Sequence, residues 1–349
     1  MTTVEPEMDA QSDGAPLGAT PMDPPDSEIV RRVLERTAEA ETALAALLAD
    51  SPPTSADGVD PSLELVHDYR VALRRLRSIL RLLAPSYGKK KMRKLADSIR
   101  DAATLTGDLR DEEVLRETLG ELKPTNGEDR GPLARWMQGR ARRERGQRAR
   151  VVKTIRAHAN DGEGVTEALR AVRTRLAGPP KHVHTDADLA RIGLERAYDK
   201  VRDRADADGV REARSAAMHA LRIGFKQLRY TAETVGGLAP ETGFEERVAE
   251  IAAKQQKHLG KLHDLDEALI RMDRARGLDG SARHKVLGEL EKQRRKTGHK
   301  CLRELDGAMP ELKQLLGPAL ESDTSGGDGS AGDGTTGADQ SRSKSVAIP

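Results

Sequence analysis

His67-Asp68-Tyr69-Arg70-Val71-Ala72-Leu73-Arg74-Arg75-Leu76-Arg77 is the stretch on which the fold turns. Advancing about 100° per residue from His67 puts Arg70, Arg74, Arg77 and Arg81 near 300°, 340°, 280° and 320°. Leu73, Leu76, Leu80 and Leu83 fall between about 160° and 240° on the same wheel. A helix through this segment therefore carries a cationic face and a separate apolar stripe. No acid stands between Arg70 and Leu83 to relieve the repulsion between cations one turn apart.

The motif returns further along the chain. His219-Ala220-Leu221-Arg222-Ile223-Gly224-Phe225-Lys226-Gln227-Leu228-Arg229 aligns with it at an offset of 152, and Glu233 stands where a fourth base would continue the ladder. Gly107-Asp108-Leu109-Arg110-Asp111 matches Gly260-Lys261-Leu262-His263-Asp264 at an offset of 153. Two matches in the same order indicate a duplicated helical unit. Ala, Leu, Arg, Glu and Lys dominate around both copies, and alternating β-branched runs are absent, so the expected class is all-α, built as bundles. Helices are expected at 27–50, 60–84, 88–105, 109–122, 131–158 and 163–177. After the break at Gly178-Pro179-Pro180 they are expected at 186–205, 209–236, 243–259, 262–275, 280–306 and 310–319. This divides a folded region, 28–320, into halves at 28–178 and 186–320 joined by a linker at 179–185.

The chain of 349 residues has 59 Lys+Arg and 57 Asp+Glu, and this near-balance conceals a gradient. Residues 1–27 hold six acids and no base, and 321–349 hold five acids against Arg342 and Lys344. The remaining 28–320 carries a net charge of +11. Both ends are rich in Gly, Ser, Pro, Thr and Asp, a composition that cannot bury enough surface to offset ordering entropy, so they are expected to be disordered, acidic, solubilising tails. The single Cys301 excludes an internal disulfide framework and fits a reducing compartment. No apolar run reaches the roughly 18–20 residues of a membrane span. Residues 1–27 lack the basic and apolar regions of a secretory signal, so the expected address is cytoplasmic.

Cation ladders without internal counterions suit an extended polyanion, since Arg forks bind phosphate oxygens bidentately. Lys89-Lys90-Lys91-Met92-Arg93-Lys94, Arg142-Arg143 and Arg294-Arg295 extend the basic inventory, the last two again 152 residues apart. Taken singly, each such run reads more readily as a solvated face. Single-stranded nucleic acid is usually held on aromatic platforms, and seven aromatic residues, with only Tyr230 beside a ladder, supply few. No helix-turn-helix or zinc-finger spacing appears. An anion without bases, such as inorganic polyphosphate, needs charge alone.

These residues resemble a known family. His67-x-x-Arg70-Val71-x-x-Arg74-Arg75-Leu76-Arg77 followed by Gly107-x-x-Arg110-Asp111 is similar to the first half of a CHAD domain, the conserved histidine α-helical domain. His219-x-x-Arg222-Ile223-x-x-Lys226-x-x-Arg229-Tyr230 with Glu233, then Leu259-Gly260-x-x-x-Asp264, is similar to the second half. The resemblance covers roughly 28–318. It implies two four-helix-bundle-like halves related by a pseudo-twofold axis around a basic groove, binding of inorganic polyphosphate, and association with polyphosphate granules in the cytoplasm. His67, Arg70, Arg74, Arg77, Arg81, His219, Arg222, Lys226 and Arg229 are the expected phosphate contacts. Arg100, Lys254, Arg142 and Arg294 are further candidates. Asp68 beside the first His and Thr106 in place of the usual Leu depart from the pattern, and neither is expected to touch the ladder.

No cofactor or metal is expected, and the expected role is binding without catalysis. Asp111 and Asp264 recur in both halves but read as helix-start or ion-paired carboxylates. Lys181-His182-Val183-His184-Thr185-Asp186 lies in the linker without a partner pattern, and no P-loop occurs. A metal-dependent enzyme acting on polyphosphate or phosphorylated substrates, and a nucleic-acid-binding module, remain the competing readings. Oligomeric state is not encoded in any of these patterns.

Overall fold

A computed structural model describes residues 27–49, 61–122, 131–162, 164–238 and 243–321. The described residues form eleven helices and no strand. In chain order these are α1 (Glu28–Leu48), α2 (Pro61–Leu80), α3 (Ala84–Tyr87), α4 (Lys89–Thr104), α5 (Gly107–Gly120) and α6 (Gly131–Ala159). They continue as α7 (Val165–Ala177), α8 (Asp186–Ala205), α9 (Ser215–Val235), α10 (Phe244–Asp273) and α11 (Gly280–Glu321). The all-α expectation holds. The acidic tails, apart from Ser27 and Glu321, lie outside the described residues.

Local signals account for most boundaries. Ser27, where the first helix was expected to begin, caps α1 by accepting from Val30 N–H at 3.3 Å. It also donates to Asp186 Oδ1 at 2.6 Å, and Asp186 Oδ2 accepts from Glu28 N–H, so the start of α1 is tied to the start of α8. Thr185 and Asp188 form a capping box at α8. Four expected boundaries move. The segment read as one helix over 60–84 stops at Leu80, and Arg81 falls in the turn before the short α3. The helix expected from 209 begins only at Ser215, because Gly209, at φ +87°, holds a left-handed turn that accepts from Arg214 N–H. Gly260 does not separate two helices. Lacking a Cβ, it lets α10 run unbroken past Arg222, whose Nε lies 3.7 Å from where a Cβ would stand. Pro310 does not end α11 either, since it is exposed and the backbone groups it disrupts can be hydrated.

Leu73, Leu76, Leu80 and Leu83 are fully buried, as the apolar stripe of the wheel requires. They belong to one core that takes side chains from α1, α2, α4 and α7 and equally from α8, α9, α10 and α11. The fit across the two halves is close: a Cβ on Gly193 of α8 would lie 2.3 Å from Leu82 Cδ2 and 3.4 Å from Thr231 of α9. Helix α2 also packs on α9, and α5 on α10.

A second, smaller core joins α5 and α6 to the end of α10 and the start of α11, around Leu119, Trp136, Met272 and Leu290. Trp136 donates its indole N–H to Arg276 O at 3.0 Å. Matching struts brace the two helix pairs. Arg140 of α6 chelates Glu112 of α5, and Arg294 of α11 binds Asp266 of α10 at 2.6 Å; each pair is 28 residues apart. The structural counterpart of Arg294 is therefore Arg140, at an offset of 154, and not Arg142 as the sequence alignment suggested.

Candidate functional site

Between the two cores lies a cavity of about 500 Å³. Helix α2 lines it with His67, Arg70, Arg74 and Arg77, which follow one another along a single face as the wheel places them. Arg222 and Lys226 reach it from α9, Arg100 from α4 and Arg110 from α5. Helix α10 supplies His263, Asp264, Glu267 and Arg271, and Asp111 of α5 completes the charged lining. Eight Lys and Arg side chains thus meet three carboxylates in one space.

The cations differ in how they are held. Arg100 is bound to Asp97 and Asp101 at 3.0 Å each, and Arg271 is bound to Asp111 at 2.8 Å. Among the described residues, Arg70, Arg74, Arg77, Arg222 and Lys226 form no ion pair. Arg70 instead donates to Thr106 O at 2.6 Å and to the Thr106 hydroxyl. Thr106 is fully buried and its hydroxyl donates in turn to Ala103 O, so this departure from the family pattern does touch the ladder, contrary to the expectation. It fixes the position of one guanidinium without neutralising it. Asp68 faces the other way, toward Glu35 and Glu39 of α1. Arg222 carries a buried Nε with no hydrogen-bond partner.

Crowding unpaired cations has an electrostatic consequence. Burial, reinforced by Arg74, Arg222, Arg77 and Arg70, pushes the Lys226 ammonium down from 10.5 to about 7. Burial likewise lowers Arg70, Arg77 and Arg222, each helped by neighbouring guanidiniums. His219 and His263 meet with tilted rings, their centroids 4.5 Å apart and their Nδ1 atoms 3.3 Å apart. Burial and Arg222 hold both below the usual histidine range, His263 at about 4, so the pair is neutral at pH 7. Desolvation raises Asp264, against the pull of Arg222 and Arg110. Asp264 sits within the continuous α10 and not at a helix start, while Asp111 is ion-paired with a base from the other half.

Seven of the thirteen candidate contacts line the cavity: His67, Arg70, Arg74, Arg77, Arg100, Arg222 and Lys226. Six do not. Arg81 is displaced because α2 ends before it, and His219 stands behind His263. Arg229 is held by Glu233 at 2.6 Å, and Lys254 by Glu304 at 2.6 Å. Arg294 is a strut to Asp266 and Ala213 O, and Arg142 is exposed on α6. Sequence reasoning passed over Arg110 and His263, although both sit at the fourth position of the repeated Gly-x-x-Arg/His-Asp motif. Arg271 has no repeat signal. No group of three or more His, Cys, Asp or Glu placed to hold a metal ion occurs among the described residues, the His182–His184 segment included. No described helix is long and apolar enough to cross a membrane.

A family model described as the CHAD domain matches residues 38–273. Two uncharacterised proteins of Mycobacterium tuberculosis, MT2285 of strain CDC 1551 / Oshkosh and Rv2226 of strain ATCC 25618 / H37Rv, are each 27% identical over 271 residues. The match takes in 74% of this chain and 50% of each relative, so the chain spans about half their length. Among solved structures, the CHAD domain from the plant Ricinus communis superposes with a TM-score of 0.57 at 20% identity, covering 83% of this chain and 91% of that one. PptA from Streptomyces chartreusis superposes with a TM-score of 0.58 at 15% identity, covering 80% and 97%.

Proposed function

From the premise that the chain belongs to the CHAD domain family, we propose that it binds inorganic polyphosphate in the cavity between its two cores, without catalysing a reaction on it. The observation that carries this reading is the set of five unpaired cations, Arg70, Arg74, Arg77, Arg222 and Lys226, drawn from both copies of the repeat into one space. Holding such charges together without counterions is unfavourable, and an anion that supplies many phosphate oxygens along a line reverses the sign of that interaction. Binding proceeds by exchange of water and mobile counterions for phosphate oxygens, so affinity falls steeply with salt. Arg70, fixed by Thr106, and Arg222, with a free buried Nε, are preorganised donors.

Nucleic acid is disfavoured because the lining contains no Phe, Tyr or Trp ring to serve as a stacking platform for bases. Catalysis has one feature in its favour, since Lys226 near 7 and the raised Asp264 are the kind of perturbed groups that acid–base chemistry uses. Against it, Asp111 is committed to Arg271 and cannot act as a free base. By the same reading the protein works in the cytoplasm, in company with polyphosphate granules, as a domain of two helical halves flanked by acidic tails.

The test is a titration with long-chain polyphosphate at physiological salt, with DNA and RNA as competitors and free phosphate monitored. Tight binding that nucleic acid does not displace, with no phosphate released, supports the proposal. Ready displacement assigns the cavity to nucleic acid. Chain shortening that depends on Mg²⁺ or Mn²⁺ and is lost in Asp111→Asn/Asp264→Asn makes the protein an enzyme.

A further inference from the structure

Two surface features of the first half play no part in the cavity. Helices α1 and α2 enclose a groove of about 630 Å³, floored by Ala38, Ala43, Ala46 and Leu65 and rimmed by Glu35, Glu39 and Asp68. Ala38, Ala46 and the three carboxylates are exposed, so no described element covers it. The other feature is the outer face of α6. Arg142, Arg143, Arg150, Lys153 and Arg156 are exposed there, and about 100° per residue puts all five within an arc of roughly 140°. Glu144, the one acid of this helix, is turned inward, buried and bound to Arg116 and Arg148.

A solvated helix face ordinarily mixes acids among its bases. Helix α11, which holds the matching place in the second half, does so: Glu291 and Asp306 are exposed among Lys292, Arg295 and Arg303. Helix α6 does not, and among the described residues Arg142, Arg143, Arg150 and Lys153 form no ion pair. Gly146 and Ala149 lie exposed between these cations, so no bulky side chain holds an approaching surface away. The groove has the complementary character, an apolar floor with a negative rim. Its rim pairs, Glu35 with Arg31 and Glu39 with Arg36, are exposed local contacts of the kind that exchange partners at little cost. The two features are also neighbours. Helix α6 packs on α1, and Arg156 donates to Leu48 O at 3.0 Å, two residues beyond Ala46 of the groove. A surface that carries a charged face beside its complement matches itself under a twofold rotation, and the contact is then made twice.

We propose that the α1–α2 groove and the outer face of α6 together form a twofold dimer interface whose partner is a second copy of this chain. Each copy lays the Gly146–Ala149 part of its α6 over the apolar floor of the other's groove, and the flanking cations meet the carboxylates of the rim. The groove and this face share no residue with the cavity, so the inference stands apart from the polyphosphate reading.

Sedimentation velocity tests it, run without polyphosphate so that no chain bridges two cavities, and with folding checked by thermal melting. Wild type is expected to dimerise at micromolar concentration in about 0.1 M salt and to dissociate in about 1 M, where the Debye length falls to about 3 Å. Arg150→Glu/Lys153→Glu reverses the face, and Glu35→Lys/Glu39→Lys reverses the rim. Each alone is expected to weaken the dimer about 100-fold, because the contact is made twice. An equimolar mixture of the two variants is expected to dimerise again: the reversed face of one meets the reversed rim of the other, and their unaltered face and rim still match. Ala46→Trp, which fills the groove without altering charge, is expected to be monomeric as well. Wild type that stays monomeric at these concentrations, a folded variant that dimerises as wild type does, or a mixture that does not recover overturns the interface. Larger assemblies overturn the twofold arrangement.

Discussion

Under the proposed function, Lys226 is expected to make polyphosphate binding a proton-linked event. Its ammonium is held at about 7 by burial and by Arg74, Arg77 and Arg70 of α2 and Arg222 of its own helix. A bound phosphate chain cancels that repulsion and returns the group toward its ordinary 10.5, so above pH 7 each binding event takes up close to one proton. Below pH 7 the lysine is charged in both states and the linkage vanishes. Affinity is therefore expected to fall about tenfold per pH unit above 7, or roughly 30-fold between pH 7.5 and 9 at constant salt. The window is clean on the ligand's side, because the second ionisation of a phosphate monoester, about 6, lies below it. It is also clean on the protein's side. His219 and His263 are already neutral there, and guanidiniums do not titrate. Calorimetry in buffers of different ionisation enthalpy counts the proton directly. Lys226→Arg keeps the charge permanently and is expected to bind with a flat profile over the same range. A flat profile in wild type, or an undiminished slope in Lys226→Arg, would refute the argument.

The same lysine burdens the empty fold. Lys226→Met is expected to stabilise the ligand-free protein by up to about 5 kcal/mol at pH 6 in denaturant melts, and the gain is expected to fade by about 1.4 kcal/mol per unit as pH rises above 7. The sign follows from the depressed pKa: between 7 and 10.5 the unfolded wild type binds the extra proton, so its stability rises with pH. Arg74→Ala is expected to lower polyphosphate affinity about tenfold while leaving the melting temperature level or higher, read by titration and calorimetry. Thr106→Val removes the hydroxyl that Arg70 and Ala103 share, and is expected to cost about 1–2 kcal/mol of stability and a few-fold in affinity. Gly193→Ala drives a methyl into Leu82 and is expected to cost about 1–3 kcal/mol by thermal melting.

The features legible in the sequence were those with a short period. The spacing of Leu73, Leu76 and Leu80 against Arg70, Arg74 and Arg77 defines both a core stripe and a cationic face within one helix, and the structure uses both. Whether a given arginine stays unpaired is settled by partners distant in sequence. Lys254 meets Glu304, Arg294 meets Asp266 and Arg271 meets Asp111 across helices, and none of these pairings shows in local pattern. Arg229 is the exception, since Glu233 lies four residues on and an ion pair at that spacing could have been read directly. Helix ends were misplaced at two breakers that the helices absorb: Gly260 is accommodated beside Arg222, and Pro310 is tolerated on an exposed face. Thr106 was misjudged because its role comes from a contact with α2, 36 residues earlier.

The shared core has a consequence for how the protein is made. Leu82 seats against Gly193 and Ser27 against Asp186, so side chains in the first half find their partners only after about 110 to 160 further residues have been synthesised. At about 5–20 residues per second, the parts of α1 and α2 that pack on α9 wait from roughly 7 s to 40 s on the ribosome before α9 arrives to cover them. The first half expressed alone therefore exposes the part of the shared core that α8 to α11 would cover, and a stop codon in the linker removes Arg222 and Lys226 from the cavity.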